Sequence, residues 1–151
     1  MTKVLFVCSS GGHLDQLLAL LPAPDGVEVA VATFLKPDAL SKVSELRHYG
    51  LHWPTNRSLK ALIINLGRAF SILRAERPAI VLSSGAAAAV PFFYVGRIFF
   101  RTRNVFVECI DRIDNPTLTA KLVRSVTHLY LAQWPQQLAS FPRRRQVVRS
   151  R

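Results

Sequence analysis

The stretch that most constrains this chain is its beginning. An apolar run, Lys3-Val4-Leu5-Phe6-Val7-Cys8, passes directly into Ser9-Ser10-Gly11-Gly12-His13. Leu14 to Leu21 follows, with leucines at helical spacing. The pattern predicts a buried strand, a tight glycine turn and a helix. A continuously apolar strand suits a parallel sheet covered on both faces. Paired glycines let the backbone pass close to a ligand, and the helix start beyond them offers N–H groups to an anion. His13 falls where turn becomes helix, at the mouth of any site built there.

The same alternation continues along the chain. Val27 to Phe34 reads as a second strand and Lys36-Pro37-Asp38 as a turn, with Asp38 expected to cap a short helix through Leu46. Gly50 and the run Leu51-His52-Trp53-Pro54 read as an extended piece and Thr55 to Ser58 as a polar loop. Ser58 is the expected N-cap of a long helix, Leu59 to Glu76. There Leu62, Ile63, Leu66, Ala69, Phe70 and Leu73 repeat at i, i+3 and i+4, and Pro78 stops it. Ala79 to Ser83 is a third core strand, and Ser84-Gly85-Ala86-Ala87-Ala88-Ala89 its small-residue turn. A helix from Val90 to Arg101 follows, with Pro91 in its first turn. Asn104 to Glu108 is a strand, Asp111 to Asn115 a charged loop, Pro116 to Val126 a helix and His128 to Ala132 a strand that Gln133-Trp134-Pro135 breaks. Strands alternating with helices predict an α/β, doubly wound parallel sheet. Ligands in such sheets bind beyond the carboxyl ends of the strands. Gly11, Gly12 and His13, Gly85, Glu108 and Gln133 all follow strands, and this convergence says more than any one motif.

With 151 residues the chain makes one domain or a compact half of something larger; we expect a single domain over 1–142 and a basic tail over 143–151. Hydrophobic residues make up 50% of the chain and mean hydropathy is +0.21, at the apolar end for a soluble protein. A net charge of +11 calls for an acidic partner: nucleic acid, anionic lipid or a phosphorylated substrate. Part of that charge is the arginine-rich tail, which a solvated end also explains. Cys8 and Cys109 fall in or beside buried strands and read as small core residues of a reducing compartment. No clustered Cys/His spacing suggests zinc. The first strand starts after two residues, so no signal peptide is expected, and no run of about 18 apolar residues predicts a spanning helix.

Several residues are candidates for chemistry. His13 suits a general base, since an imidazole titrates near neutral pH. Glu108 is the other candidate base, or a group orienting an acceptor hydroxyl; a salt bridge to Arg112 explains it equally well. His48, His52 and His128 have no evident partners and read as surface or core residues. Asp111 and Asp114, two acids in an arginine-containing loop, are weak evidence for a metal. The run Val90 to Arg103 is rich in aromatic residues, interrupted and closed by arginines, and too short to span a bilayer. It fits a core helix, a helix in the membrane interface with arginines at lipid phosphates, or both, with one face each. In the second case Phe92, Phe93, Phe99 and Phe100 contact lipid, and Arg97, Arg101 and Arg103 contact headgroups. No recognised nucleic-acid motif accompanies the charge.

Taken together, certain stretches carry a resemblance. They are Cys8 to His13, Pro54-Thr55-Asn56-Arg57, Ser84-Gly85-Ala86-Ala87 with Val90-Pro91, Glu108 with Arg112, Pro116 to Leu122, and Gln133-Trp134-Pro135. In this order they resemble the acceptor-side, membrane-associating subunit of two-component GT-B glycosyltransferases. Bacterial members are the PssD-type exopolysaccharide proteins, and a eukaryotic member anchors the enzyme adding the second N-acetylglucosamine to dolichol-linked oligosaccharide. The layout is also similar to the N-terminal half of MurG. Cys109 stands where the family usually has serine, Ala120 where it has glycine, and Thr127-His128 where an acid is common.

The resemblance implies a Rossmann-like half of a GT-B enzyme. It would bind a polyprenyl-pyrophosphate-linked saccharide, while a separate donor-binding subunit brings the nucleotide sugar. His13 and Glu108 would be catalytic. Ser10, Gly11, Gly12, Asn56, Arg57, Gly85 and Arg112 would bind acceptor or phosphate, the loops at Gly11, Gly12 and Gly85 by binding pyrophosphate or by completing the cleft. No metal or other cofactor is implied, and the chain would lie peripherally on the cytoplasmic face of the cell membrane. The rivals are a non-enzymatic nucleotide- or phosphate-binding Rossmann module that scaffolds a complex, and a basic nucleic-acid binder.

Overall fold

The computed structural model describes residues 1–55, 58–110, 115–140 and 145–147. Seven strands form one parallel sheet: β1 (Thr2–Val7), β2 (Val27–Thr33), β3 (Arg47–Gly50), β4 (Ile80–Ser83), β5 (Arg103–Val107), β6 (Leu129–Ala132) and β7 (Arg145–Val147). Their order is β3-β2-β1-β4-β5-β6-β7, so the winding reverses between β1 and β4. The expected doubly wound α/β sheet is therefore the one found. Helices α1 (Gly12–Leu18), α2 (Pro37–Val43), α3 (Leu59–Glu76), α4 (Ala89–Val95) and α5 (Leu118–Val123) complete it, and α4 runs on into a π-helical turn, Gly96–Phe100.

Strand alternation builds two cores. Val4, Phe6, Cys8 and Val31 face one way and meet Leu14, Leu17, Ala39 and Val43 of α1 and α2. Leu5, Val7, Ala30 and Ala32 face the other and meet Ala69, Leu73, Phe92, Phe93 and Val123 of α3, α4 and α5. Ser58 caps α3 by accepting from Ala61 N at 3.2 Å, and Thr117 does the same for α5 from Ala120 N. Asp38 is not the cap of α2; it lies in the first turn, behind Lys36. The extended piece expected at 50–54 sits earlier, at β3, which pairs with β2 as Ala30↔Arg47 through Thr33↔Gly50. Trp53-Pro54 lies beyond it, and proline has no N–H for a ladder. Residues 145–147, expected in the tail, pair with β6 as an edge strand.

One polar cluster closes the floor of the sheet. Glu76, only 5% exposed, lies against Lys3 and Arg47 and accepts from the Tyr49 hydroxyl. Burial pushes its carboxyl up, but the Tyr49 hydrogen bond and the two cations outweigh this and hold it below the usual range. A depressed carboxyl stabilises the fold above its unfolded titration and loses that contribution as pH falls through the folded one. Urea unfolding midpoints are therefore expected to drop on acidification below about pH 4.5, and Glu76→Gln to be less stable at neutral pH with a shallower acid limb. An acid limb unchanged by the substitution would show that Glu76 is not responsible.

Candidate functional site

At the point where the winding reverses, the carboxyl ends of β1 and β4 lie side by side, Val7 opposite Ser83. A crevice opens between the two turns that leave such strands in opposite directions. Gly11 holds φ +84, which favours glycine, and the space where a side chain of Gly11 or Gly12 would stand is open. Ser10 lies half-buried in the same turn. In the facing turn Gly85 holds φ +123 and Ala86 φ +73. A non-glycine residue in that region costs on the order of 1–3 kcal/mol, and such strain gathers at functional turns.

His13 bridges the two turns. Its Nδ1 lies 2.9 Å from the main-chain oxygen of Ser84, whose Oγ donates to the main-chain oxygen of His13 at 2.8 Å. Cys109, just past the end of β5, brings its Sγ to 3.4 Å from Nδ1 and 3.4 Å from Ser84 O. Three strand ends thus converge on one half-buried imidazole. The arrangement can accept a proton from a group entering from the open glycine side. Cys8 takes no part: burial pushes its thiol up to about 12.

Glu108 does not face this crevice. It is fully buried beneath α5, where one carboxylate oxygen accepts from Cys109 N and the other from Thr117 N and the Tyr130 hydroxyl, at 2.6 Å. Burial and the Glu108 carboxylate push the Tyr130 hydroxyl far up. Glu108 is a structural anion that ties the start of α5 to β5 and β6, not a second base. Alternation explains the difference: Phe106 faces that core, Glu108 shares its side, and Cys109 takes the other. Gly85 is buried in the facing turn, and its own N–H donates to Ser83 Oγ at 3.1 Å, so of its two expected parts, binding phosphate or completing the cleft, its place beside His13 fits the second.

Asn56, Arg57 and Arg112, with Asp111 and Asp114, lie outside the described residues. Among the described residues no group of three His, Cys, Asp or Glu is placed to hold a metal. Gln133 follows β6, and its N–H is taken by Gln137 Oε1 at 2.7 Å; buried Gln137 also donates to Cys109 O, bracing the end of β5. Composition gave no hint of Ser84, Cys109 or Gln137. Their roles depend on contacts between residues far apart in sequence, except that the alternation from Phe106 would have turned Cys109 toward the site.

A second surface lies on the α3 and α4 side. Phe92 and Phe93 are fully buried in the core between α4 and the sheet, so they do not contact lipid. The end of the same segment is open: Ile98 and Phe99 are 64% and 65% exposed, and Phe100 is half-buried. Arg97, Arg101 and Arg103, next to them in the chain, are exposed, Arg97 with its Nη1 2.6 Å from His128 Nε2. Helix α3 extends this surface. It buries Ala61, Asn65, Ala69, Ile72, Leu73 and Glu76, and leaves Leu59, Leu62, Ile63, Leu66 and Phe70 outside. Those five fall at i, i+3, i+4, i+7 and i+11, one continuous stripe. Phe70 packs on Phe99 and Phe100 with ring centroids 5.8 and 5.4 Å apart, joining stripe and turn. The helical repeat thus divides the apolar residues of α3, with Leu62, Ile63, Leu66 and Phe70 outside and Ala69 and Leu73 in the core. Among the described residues no helix is long and apolar enough to cross a membrane.

Comparison with known proteins adds to this geometry. A family model described as oligosaccharide biosynthesis protein Alg14 like matches residues 36–149. The UDP-N-acetylglucosamine transferase subunit ALG14 of Yarrowia lipolytica is 23% identical over 93% of this chain and 77% of its own length. That of Mus musculus is 21% identical over 93% and 79%. Among solved structures, Acinetobacter baumannii MurG shares the fold with a TM-score of 0.77 at 16% identity, over 99% of this chain. UDP-GlcNAc 2-epimerase from Neisseria meningitidis, bound to UDP-GlcNAc, does so with a TM-score of 0.71 at 14% identity, over 93%. The chain spans less than half of each of these two, 45% and 42%.

Proposed function

The chain belongs to the Alg14-like family of oligosaccharide biosynthesis proteins, and on that premise we propose that it is the acceptor-binding, membrane-attaching subunit of a glycosyltransferase. It receives a polyprenyl-pyrophosphate-linked saccharide, and a separate donor-binding subunit supplies the nucleotide sugar, a hexosyl or N-acetylhexosaminyl donor. The observation that carries this reading is His13, held across the switch-point crevice beside an open glycine turn. Two further facts support it: both curated relatives are named as transferase subunits, and the sheet shares the fold of MurG with a TM-score of 0.77.

In the reaction His13 takes the proton of the acceptor hydroxyl as that oxygen attacks the anomeric carbon. The bond from that carbon to the nucleoside diphosphate breaks, and the leaving group stays with the donor subunit, whose dipoles and cations stabilise its charge. The turn Ser10-Gly11-Gly12 lies against the acceptor pyrophosphate, and Asn56, Arg57 and Arg112 add polar and positive groups. The stripe on α3 and the Gly96–Phe100 turn rest on the cytoplasmic face of the cell membrane, where a lipid-linked acceptor and a soluble donor can meet. The charge then serves lipid and phosphate, and no nucleic acid is bound.

The test is reconstitution. The chain, the donor-binding subunit and both together are given lipid-linked acceptor and a panel of nucleotide sugars. Turnover is expected only from the pair, because neither half alone holds both substrates. Robust transfer by this chain alone would overturn the half-enzyme reading, and its absence with every donor in the pair would favour a scaffold.

A further inference from the structure

We infer that Ser84 and Gly85 are positioning residues that fix the tautomer of His13 and leave Nε2 as its proton-accepting nitrogen; this rests on the proposal that His13 is the base. The main-chain oxygen of Ser84 has only lone pairs to offer. The His13 Nδ1 that lies 2.9 Å from it must therefore carry the hydrogen. In the neutral ring the lone pair is then on Nε2.

Three contacts hold the ring in that setting. Ser84 Oγ grips the main chain of His13 from the opposite direction, at 2.8 Å, so the two residues clasp each other twice. Cys109 Sγ lies 3.4 and 3.8 Å from the two ring nitrogens. Gly85 provides clearance: a Cβ there would stand 3.0 Å from His13 Cε1 and 3.4 Å from Nδ1. Its φ of +123 independently favours glycine. The absence of a side chain at position 85 thus makes room for the ring.

The chemistry follows from this arrangement. The acceptor O–H bond breaks, its proton goes to Nε2, and the hydrogen on Nδ1 stays where it is. The imidazolium that forms keeps donating to the Ser84 carbonyl, whose dipole stabilises the new charge. A main-chain carbonyl thereby does for this base what a carboxylate does for the histidine of a hydrolase triad.

The experiment is ¹⁵N NMR of the whole chain with labelled histidine, the His13 signals being assigned by their loss in His13→Ala. At a pH where the ring is neutral, the wild type is expected to show protonated Nδ1 and unprotonated Nε2. A ring protonated at Nε2 would overturn the inference whatever the turnover. In the reconstituted pair, Gly85→Ala is expected to disturb that pattern and lower kcat at least tenfold, with KM for both substrates within twofold. Ser84→Ala keeps the carbonyl, so it should keep the tautomer and lower kcat several-fold; it also serves if Gly85→Ala does not fold. Wild-type kcat in a folded Gly85→Ala chain with a displaced ring would overturn the positioning role. Wild-type kcat in His13→Ala would instead remove the base reading and leave the tautomer assignment standing.

Discussion

In the reconstituted pair, His13→Ala is expected to lower kcat by about 10²–10⁴-fold, the usual effect of losing a positioned general base. The acceptor hydroxyl would then have to give its proton to water. Two structural facts keep the experiment clean. His13 is half-buried in the first turn of α1, at the ends of the strands. Its loss removes one donor from the Ser84 carbonyl, a cost of about 1 kcal/mol to the fold. Association with the donor-binding subunit, measured by co-purification or titration, should therefore be unchanged. A wild-type rate would remove His13 from the mechanism. Glu108 would not replace it, since its carboxylate is sealed under α5 and committed to Tyr130, Cys109 and Thr117. The base would then be sought on the partner or at Asp111 and Asp114, which lie outside the described residues.

Local chemistry made much of this fold legible. The α3 limits, Leu59 and Glu76, follow from a serine cap at one end and Pro78 at the other. Apolar runs between turn residues gave β1, β2, β4, β5 and β6. Strand β3 was harder to read, because Arg47-His48-Tyr49-Gly50 has no apolar run; it is a strand because β2 offers it an edge. Period mattered as much as composition. Alternation along β5 turns Glu108 away from the site and Cys109 toward it. Helix α3 carries more apolar residues than one buried stripe needs, and the surplus at Leu59, Leu62, Ile63, Leu66 and Phe70 forms the second face. His13 was legible from its place after two glycines. Its clasp by Ser84 was not, because 71 residues separate the pair and only the adjacency of β1 and β4 brings them together.

The open apolar face leads to the last expected result. The chain should sediment with vesicles containing anionic lipid, much less with neutral ones, and lose binding as salt rises, because screening shortens the reach of its charges. Arg97 and Arg101 flank Ile98 and Phe99 along the chain, Arg103 follows at the start of β5, and all three are exposed, as is Arg74, one turn beyond Phe70 on the α3 stripe. A basic residue near an anionic surface contributes on the order of 1 kcal/mol. Arg97→Glu with Arg101→Glu removes two attractions and adds two repulsions, about 2–4 kcal/mol, or roughly a 30- to 900-fold fall in partitioning. Ile63→Ser with Phe99→Ser tests the apolar component separately. Both side chains are more than 60% exposed, so their loss should leave the unfolding midpoint nearly unchanged while vesicle binding falls even at low salt. Phe93→Ala should do the reverse: that ring is fully buried, and truncation costs about 3–5 kcal/mol of stability. Equal vesicle binding by the wild type and both folded double variants would mean that α3 and the Gly96–Phe100 turn do not face lipid. The apolar stripe would then be a surface for the partner subunit, and the membrane contact would pass to another part of the complex.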